Sequence, residues 1–137
     1  MKKLALITVI MLLSGFAFGQ SIQKGTLIGT HVMTVTLQPG VTIEKFMDFY
    51  KTNIIPEMEK NYSNMKAYQV KGIRGEKMNS FGMILVFKSA QDRDKYYNAD
   101  GSYSDLGEST YAKFKPVSDE LAKLGTVTSE YTDWIVQ

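Results

Sequence analysis

Phe81 to Phe87 is apolar at every position except Gly82, and it lies between a polar turn and a capped helix. A strand that short and that uniformly apolar must be covered on both faces. Side chains alternate across a strand, so Phe81, Met83, Leu85 and Phe87 fill one face while Ile84 and Val86 occupy the other. One layer of helices covers only one of these faces. The second face calls for a partner subunit, or for a loop or C-terminal segment of the same chain.

The rest of the chain supplies elements around this strand. Leu27 to Leu37 is rich in β-branched residues and ends at Pro39-Gly40, which predicts a first strand. Its alternation sets His31, Met33, Val35 and Leu37 on one face and Val32, Thr34 and Thr36 on the other. Thr42 caps a helix whose apolar positions Ile43, Phe46, Met47, Tyr50, Ile54 and Met58 recur at helical spacing. Pro56 lacks a donor and should kink or divide that helix near Asn53 to Ile55. Met65 to Arg74 predicts a second strand and Gly75 to Asn79 a turn. After the apolar strand, Ser89 and Asp92 stand at capping-box spacing before a helix running to about Tyr97. Within it, Asp92, Arg93, Asp94 and Lys95 read as a solvated face, with Asp92 serving the N-terminus. Asn98 to Gly107 reads as a loop. Tyr111, Phe114, Val117, Leu121 and Leu124 form another helical stripe, with Pro116 marking a kink or restart and Gly125 a C-cap. Thr126 to Val136 reads as the last strand. The order β-α-β-β-α-β predicts an α+β, ferredoxin-like fold on a four-stranded antiparallel sheet.

Residues 1–19 read separately. Lys2 and Lys3 precede an apolar run, Leu4 to Leu13, and Ala17-Phe18-Gly19 is a small-x-small site: the layout of a secretory signal peptide. Its loss would leave 118 of the 137 residues, divided into a lead-in, 20–26, and one domain, 27–137. The expected location is the periplasm or the outside medium. The full chain has 16 Lys and Arg against 14 Asp and Glu, and two of the lysines sit in the leader, so the mature charge is zero. Nucleic-acid binding needs a basic excess, so no nucleic-acid partner is expected. No membrane partner is expected after the leader is removed. The chain has no cysteine, which excludes thiolate chemistry.

The element order, the Pro-containing helix FYKTNIIPEMEK, the turn KGIRGEK and the junction FKSAQDRDKYY resemble the dimeric α/β-barrel superfamily, which includes small antibiotic-biosynthesis-monooxygenase-like proteins. The likeness covers residues 27–137 and is best over 42–97. It implies a homodimer whose two sheets face each other. Members of that group include cofactor-free oxygenases, haem-degrading monooxygenases, haem peroxidase relatives, isomerases and proteins of no known activity, so fold alone selects no reaction. A haem-degrading relative would carry an Asn, a Trp and a His on a helix. Here the only histidine, His31, falls on a predicted strand and the only tryptophan, Trp134, on the last one.

The residues themselves offer little paired chemistry. His31 could act as a base in a cavity between sheet and helices, or it could be a hydrogen-bonded strand-end residue. Tyr50, Tyr68, Tyr96, Tyr97, Tyr103, Tyr111, Tyr131 and Trp134 suit the walls of a pocket for a planar or apolar ligand, and suit a core or interface equally. Arg74 could hold an anionic group or stand exposed on its turn. One histidine and no cysteine leave no metal site, and no cofactor is expected. The expected function is an exported homodimer that binds a small apolar or aromatic molecule and acts as a cofactor-free monooxygenase-like or isomerase-like enzyme. The alternative is a non-enzymatic binding module of the envelope.

Overall fold

The computed structural model describes residues 22–137, so the leader lies outside the described residues. β1 (Leu27–Leu37) leads into α1 (Ile43–Phe49) and α2 (Ile55–Asn61). β2 (Met65–Lys71), β3 (Phe81–Phe87), α3 (Ala90–Asp94), α4 (Asp105–Ala122) and β4 (Gly125–Ile135) follow. The sheet is antiparallel in the order β2-β3-β1-β4, the ferredoxin-like arrangement, with the apolar strand in the interior.

Local chemistry explains the boundaries. Thr42 accepts the Lys45 amide and starts α1. Between α1 and α2 the helix widens at Tyr50–Ile54, where the Ile55 amide reaches back to Tyr50. That turn lies just before Pro56, where a donor is missing. Thr52 and Asn53 side chains bond back to the carbonyls of Asp48 and Phe49 beside it. β2 ends at Lys71 rather than Arg74, because Gly72 and Ser80 close the hairpin with Gly72 N–H to Ser80 O and Asn79 N–H to Gly72 O. The expected loop stops at Ser104, whose hydroxyl takes the Gly107 amide and opens α4. Pro116 sits on the exposed side of an unbroken helix. Gly125 is not the helix cap. Lys123 and Leu124 close α4 on the carbonyls of Glu120 and Leu121, and Gly125 opens β4 opposite Leu37.

The helices cover one sheet face. Leu27, Met33, Met65, Ala67, Met83, Leu85 and Phe87 meet Phe46, Tyr50, Ile54, Met58, Tyr62, Phe114 and Leu121 in one core. The charged run of α3 is not solvated throughout. Asp92 and Arg93 are buried while Asp94 and Lys95 are exposed, because this one-turn helix turns its inner side onto the sheet edge.

Asp92 accepts hydrogen bonds from Lys95 (2.6 Å), Ser89 (2.8 Å) and Asn64 (3.0 Å). The Lys95 bond above all, then Asn64, holds its carboxyl down to about 2 despite burial. A depressed carboxylate stabilises the fold above its unfolded value, 3.8, and that stabilisation fades as pH falls through 2. Asp92→Asn should therefore cost about 2 kcal/mol near neutral pH. The difference from wild type should vanish as acid unfolding is followed down to the Asp92 range.

Among the described residues, no helix lies over the other sheet face. Its rows read Tyr68, Ile84, Thr30, Thr132; then Lys66, Val86, Ile28, Trp134; then Val70, Gly82, Val32, Glu130. Tyr68 is 51% exposed and Trp134 58%, and Ile28, Val32 and Ile84 are half-buried. Val86, expected to await a partner with Ile84, is already buried within the chain. Ile28 and the Lys66 stem flank it, and Gln23, Lys24 and Thr26 of the lead-in line the same end. Ile84 is thus the centre of the uncovered patch.

Candidate functional site

The antiparallel register between β1 and β4 sets His31 beside Tyr131, Gly29 beside Asp133 and Met33 beside Ser129, all on the helix-facing side. α3 reaches this edge through Arg93, and Tyr97 and Gly101 of the loop after it come up to the same edge. A cavity of about 190 Å³ results, floored by Leu85 and Phe87 and walled by His31, Tyr97, Tyr131 and the Arg93–Asp133 pair. Pockets for drug-sized ligands span about 300–1,000 Å³, so this one suits a molecule of one or two rings.

His31 stacks on Tyr131 with ring centroids 5.7 Å apart at 22°, and its Nδ1 lies 3.4 Å from Ser129 Oγ. Burial pushes the imidazole below its ordinary value of 6.5, and Arg93 pushes the same way. The Asp133 carboxylate opposes both and does not win. His31 is therefore neutral near pH 7, in the form that accepts a proton.

Arg93 organises the edge. Its Nε lies 3.0 Å from Asp133 Oδ2, its Nη1 donates to the carbonyls of Tyr97 (3.0 Å) and Asn98 (2.8 Å), and its guanidinium lies 5.1 Å from the Tyr97 ring centre. One side chain thus ties α3, the following loop and β4 together. Two glycines make room. A Cβ on Gly29 would sit 3.0 Å from Asp133 Oδ1. Gly101, at φ 85°, brings the loop onto the Tyr131 hydroxyl, where a Cβ would stand at 2.2 Å.

Behind Tyr97 lies a set of phenols. Tyr97 packs on Tyr62 and Tyr103, and Tyr103 on Tyr111. Burial pushes Tyr97 and Tyr50 up to about 12, and raises Tyr62 and Tyr103 as well. These hydroxyls stay protonated and can donate. Among the described residues, no three groups of the metal-ligating types converge on one point. A larger, open cleft of about 830 Å³ lies between the lead-in and the start of β2. Two of its lysines, Lys60 and Lys66, are already paired with Glu57 and Glu59.

Of the residues expected to form a site, the structure brings His31 and Tyr131 together. Tyr50 is in the core, its hydroxyl 3.6 Å from Met83 Sδ. Tyr68 and Trp134 are on the opposite sheet face, where Trp134 Nε1 donates to Thr30 Oγ1. Arg74 stands on the exposed β2–β3 turn. Tyr97, one of the aromatic residues expected to suit a pocket, also lines the cavity, while Asp133, Ser129, Gly101 and above all Arg93 were not foreseen. Parity along β4 could have found two of them, since Ser129 and Asp133 share a face with Tyr131 and Trp134 does not.

No protein-family model and no curated protein matches the chain. Among solved structures, the chain is similar to SnoaB, a cofactor-independent oxygenase from Streptomyces nogalater. Identity is 16%, over 82% of this chain and 94% of that one, with a TM-score of 0.47. It is also similar to a dimeric protein of unknown function and ferredoxin-like fold from Bacteroides fragilis. There identity is 12%, over 85% of this chain and 100% of that one, with a TM-score of 0.49. At these identities and scores the likenesses carry no activity, substrate or partner across.

Proposed function

We propose that this protein is an exported homodimer that binds a small planar aromatic molecule beside His31 and uses that imidazole as a base. The observation that carries the reading is the placement of the only histidine, held neutral by burial, against Tyr131 in a cavity with an apolar floor. A neutral imidazole in such a site can take a proton from an acidic C–H or O–H of the ligand. The bond to hydrogen breaks, its electron pair stays on the ligand as an enolate or phenolate, and the proton moves to the ring nitrogen. Returning the proton at another carbon isomerises the ligand. Capture of the carbanion by dioxygen, with loss of water, converts a CH₂ into a carbonyl. The Arg93–Asp133 pair places opposite charges at the pocket rim with no net excess, which favours a neutral ligand.

Dimerisation is part of the proposal and rests on the outer sheet face, where Tyr68, Ile84, Val32, Ile28 and Trp134 make an apolar surface that the described residues leave open. Export rests on the leader layout of residues 1–19. A non-enzymatic carrier would use the same pocket, and one observation favours it: the His31 ring meets Ser129 Oγ at a long 3.4 Å rather than a carboxylate that would orient it for proton transfer.

Calorimetry with catechol, indole and naphthalene tests the binding step. At least one should bind the wild type, and His31→Ala should weaken it roughly tenfold, about the worth of one good contact, without changing the oligomeric mass. Absence of binding by all three would contradict the reading. Binding by the wild type with no proton exchange into the ligand in heavy water would favour the carrier.

A further inference from the structure

We infer that the β2–β3 hairpin tip is a docking element for an anionic lipid bilayer, separate from the His31 pocket. Ile73 is 76% exposed and Met78 57%, the first being the most exposed of the large hydrophobic residues described. Lys71, Arg74 and Lys77 stand among them, with Glu76 as the single acid between Lys71 and Met78. Apolar side chains bracketed by cations are the composition that enters the headgroup boundary: the apolar groups enter the interface and the cations bind lipid phosphates.

The tip is a built structure. Gly72 N–H to Ser80 O (2.9 Å) and Asn79 N–H to Gly72 O (2.8 Å) close its base. Met78 N–H to Gly75 O and Ser80 N–H to Lys77 O (both 3.1 Å) fold the loop on itself. Gly75 and Asn79 adopt positive φ, at 83° and 66°. A Cβ on Gly72 would strike the Lys77 carbonyl at 1.9 Å, so the loop packs backbone to backbone. Ile73 and Met78 are therefore presented by a fixed loop, and little ordering entropy opposes docking. A soluble turn gains nothing from an isoleucine in water, whereas a bilayer supplies both an apolar layer for it and negative charge for its neighbours. A second copy of the chain fits less well, since the same cations would face each other across a two-fold interface.

The test is co-sedimentation with vesicles of phosphatidylglycerol or of phosphatidylcholine, using protein purified in the form that its own cells accumulate. Binding is expected to phosphatidylglycerol, with loss at high salt, and not to phosphatidylcholine. At about 1 kcal/mol per cation near an anionic surface, each cation removed lowers partitioning about fivefold, so Arg74→Gln with Lys77→Gln should lower it about 25-fold. Ile73→Asp should lower it at least as much, while ligand binding at His31 is retained. No binding to phosphatidylglycerol, or binding that ignores all three substitutions, would overturn the inference. So would an Ile73→Asp protein whose mass in light scattering falls to one chain, because the tip would then be a subunit contact.

Discussion

Arg93→Ala should lower stability by about 3 kcal/mol, read as a shift in the urea midpoint or a fall in Tm of roughly 10 °C for a domain this size. Arg93 is buried, and its removal acts at three places at once. Asp133 loses its cation at 3.0 Å, and the carbonyls of Tyr97 and Asn98 lose their donor. Breaking a fully buried pair costs about 3–5 kcal/mol. The lower end applies here because the Asp133 side chain is 30% exposed and water can rehydrate part of it. Arg93→Lys keeps the charge but cannot span a carboxylate and two carbonyls with one ammonium, so it should recover less than half of the loss. The His31 cavity shares the same side chain as a wall, so ligand binding should fall with stability. A loss under about 1 kcal/mol would show that the loop and β4 do not depend on this link.

Ile84→Asp should convert the proposed dimer to a folded monomer. Ile84 lies in the middle of the outer face, between Tyr68 of β2 and Thr30 of β1, and is half-buried in the single chain. In the monomer its carboxylate would reach water. In a dimer of standard size, burying about 1,600 Å², it would be sealed in the dry centre at a cost of several kcal/mol, enough to raise Kd by about a thousandfold or more. Light scattering should give the mass of two chains for wild type and one for the variant, with circular dichroism unchanged. Val86→Asp would not serve, because Val86 is 7% exposed and the charge would strike the fold itself. A wild-type protein that scatters as one chain would remove the dimer.

The strands and the cap at Ser89 were legible because they follow from local rules: alternation, turn residues and hydroxyl caps. β1 and β3 fall on the expected residues, 27–37 and 81–87. The misplaced boundaries have two causes. The run 98–107 was judged by composition, which hid the local hydroxyl cap of Ser104 on the Gly107 amide, while Gly125 was decided by contacts distant in sequence, its pairing with Leu37 and Gln38 N–H on the Leu124 carbonyl. The site was harder to read. His31 and Tyr131 meet only once β1 and β4 are registered, a separation of 100 residues. Arg93 looked like part of an exposed charged run, because nothing local tells that the one-turn helix α3 faces inward. The equal standing of Tyr68, Tyr131 and Trp134 was avoidable, since Ala67 and Met65 inward put Tyr68 outward, and Trp134 has the opposite parity to Tyr131.

Because His31 is the only histidine, its ring protons give an isolated pair of signals in a proton NMR spectrum. They should titrate below 6.5, because burial outweighs the Asp133 carboxylate. The same signals should move when whichever of catechol, indole or naphthalene binds is added, while the Trp134 indole signal, on the opposite sheet face, stays in place. A ring that titrates at or above 6.5 and is unmoved by a ligand that does bind would contradict the assignment of His31 as the base in this pocket.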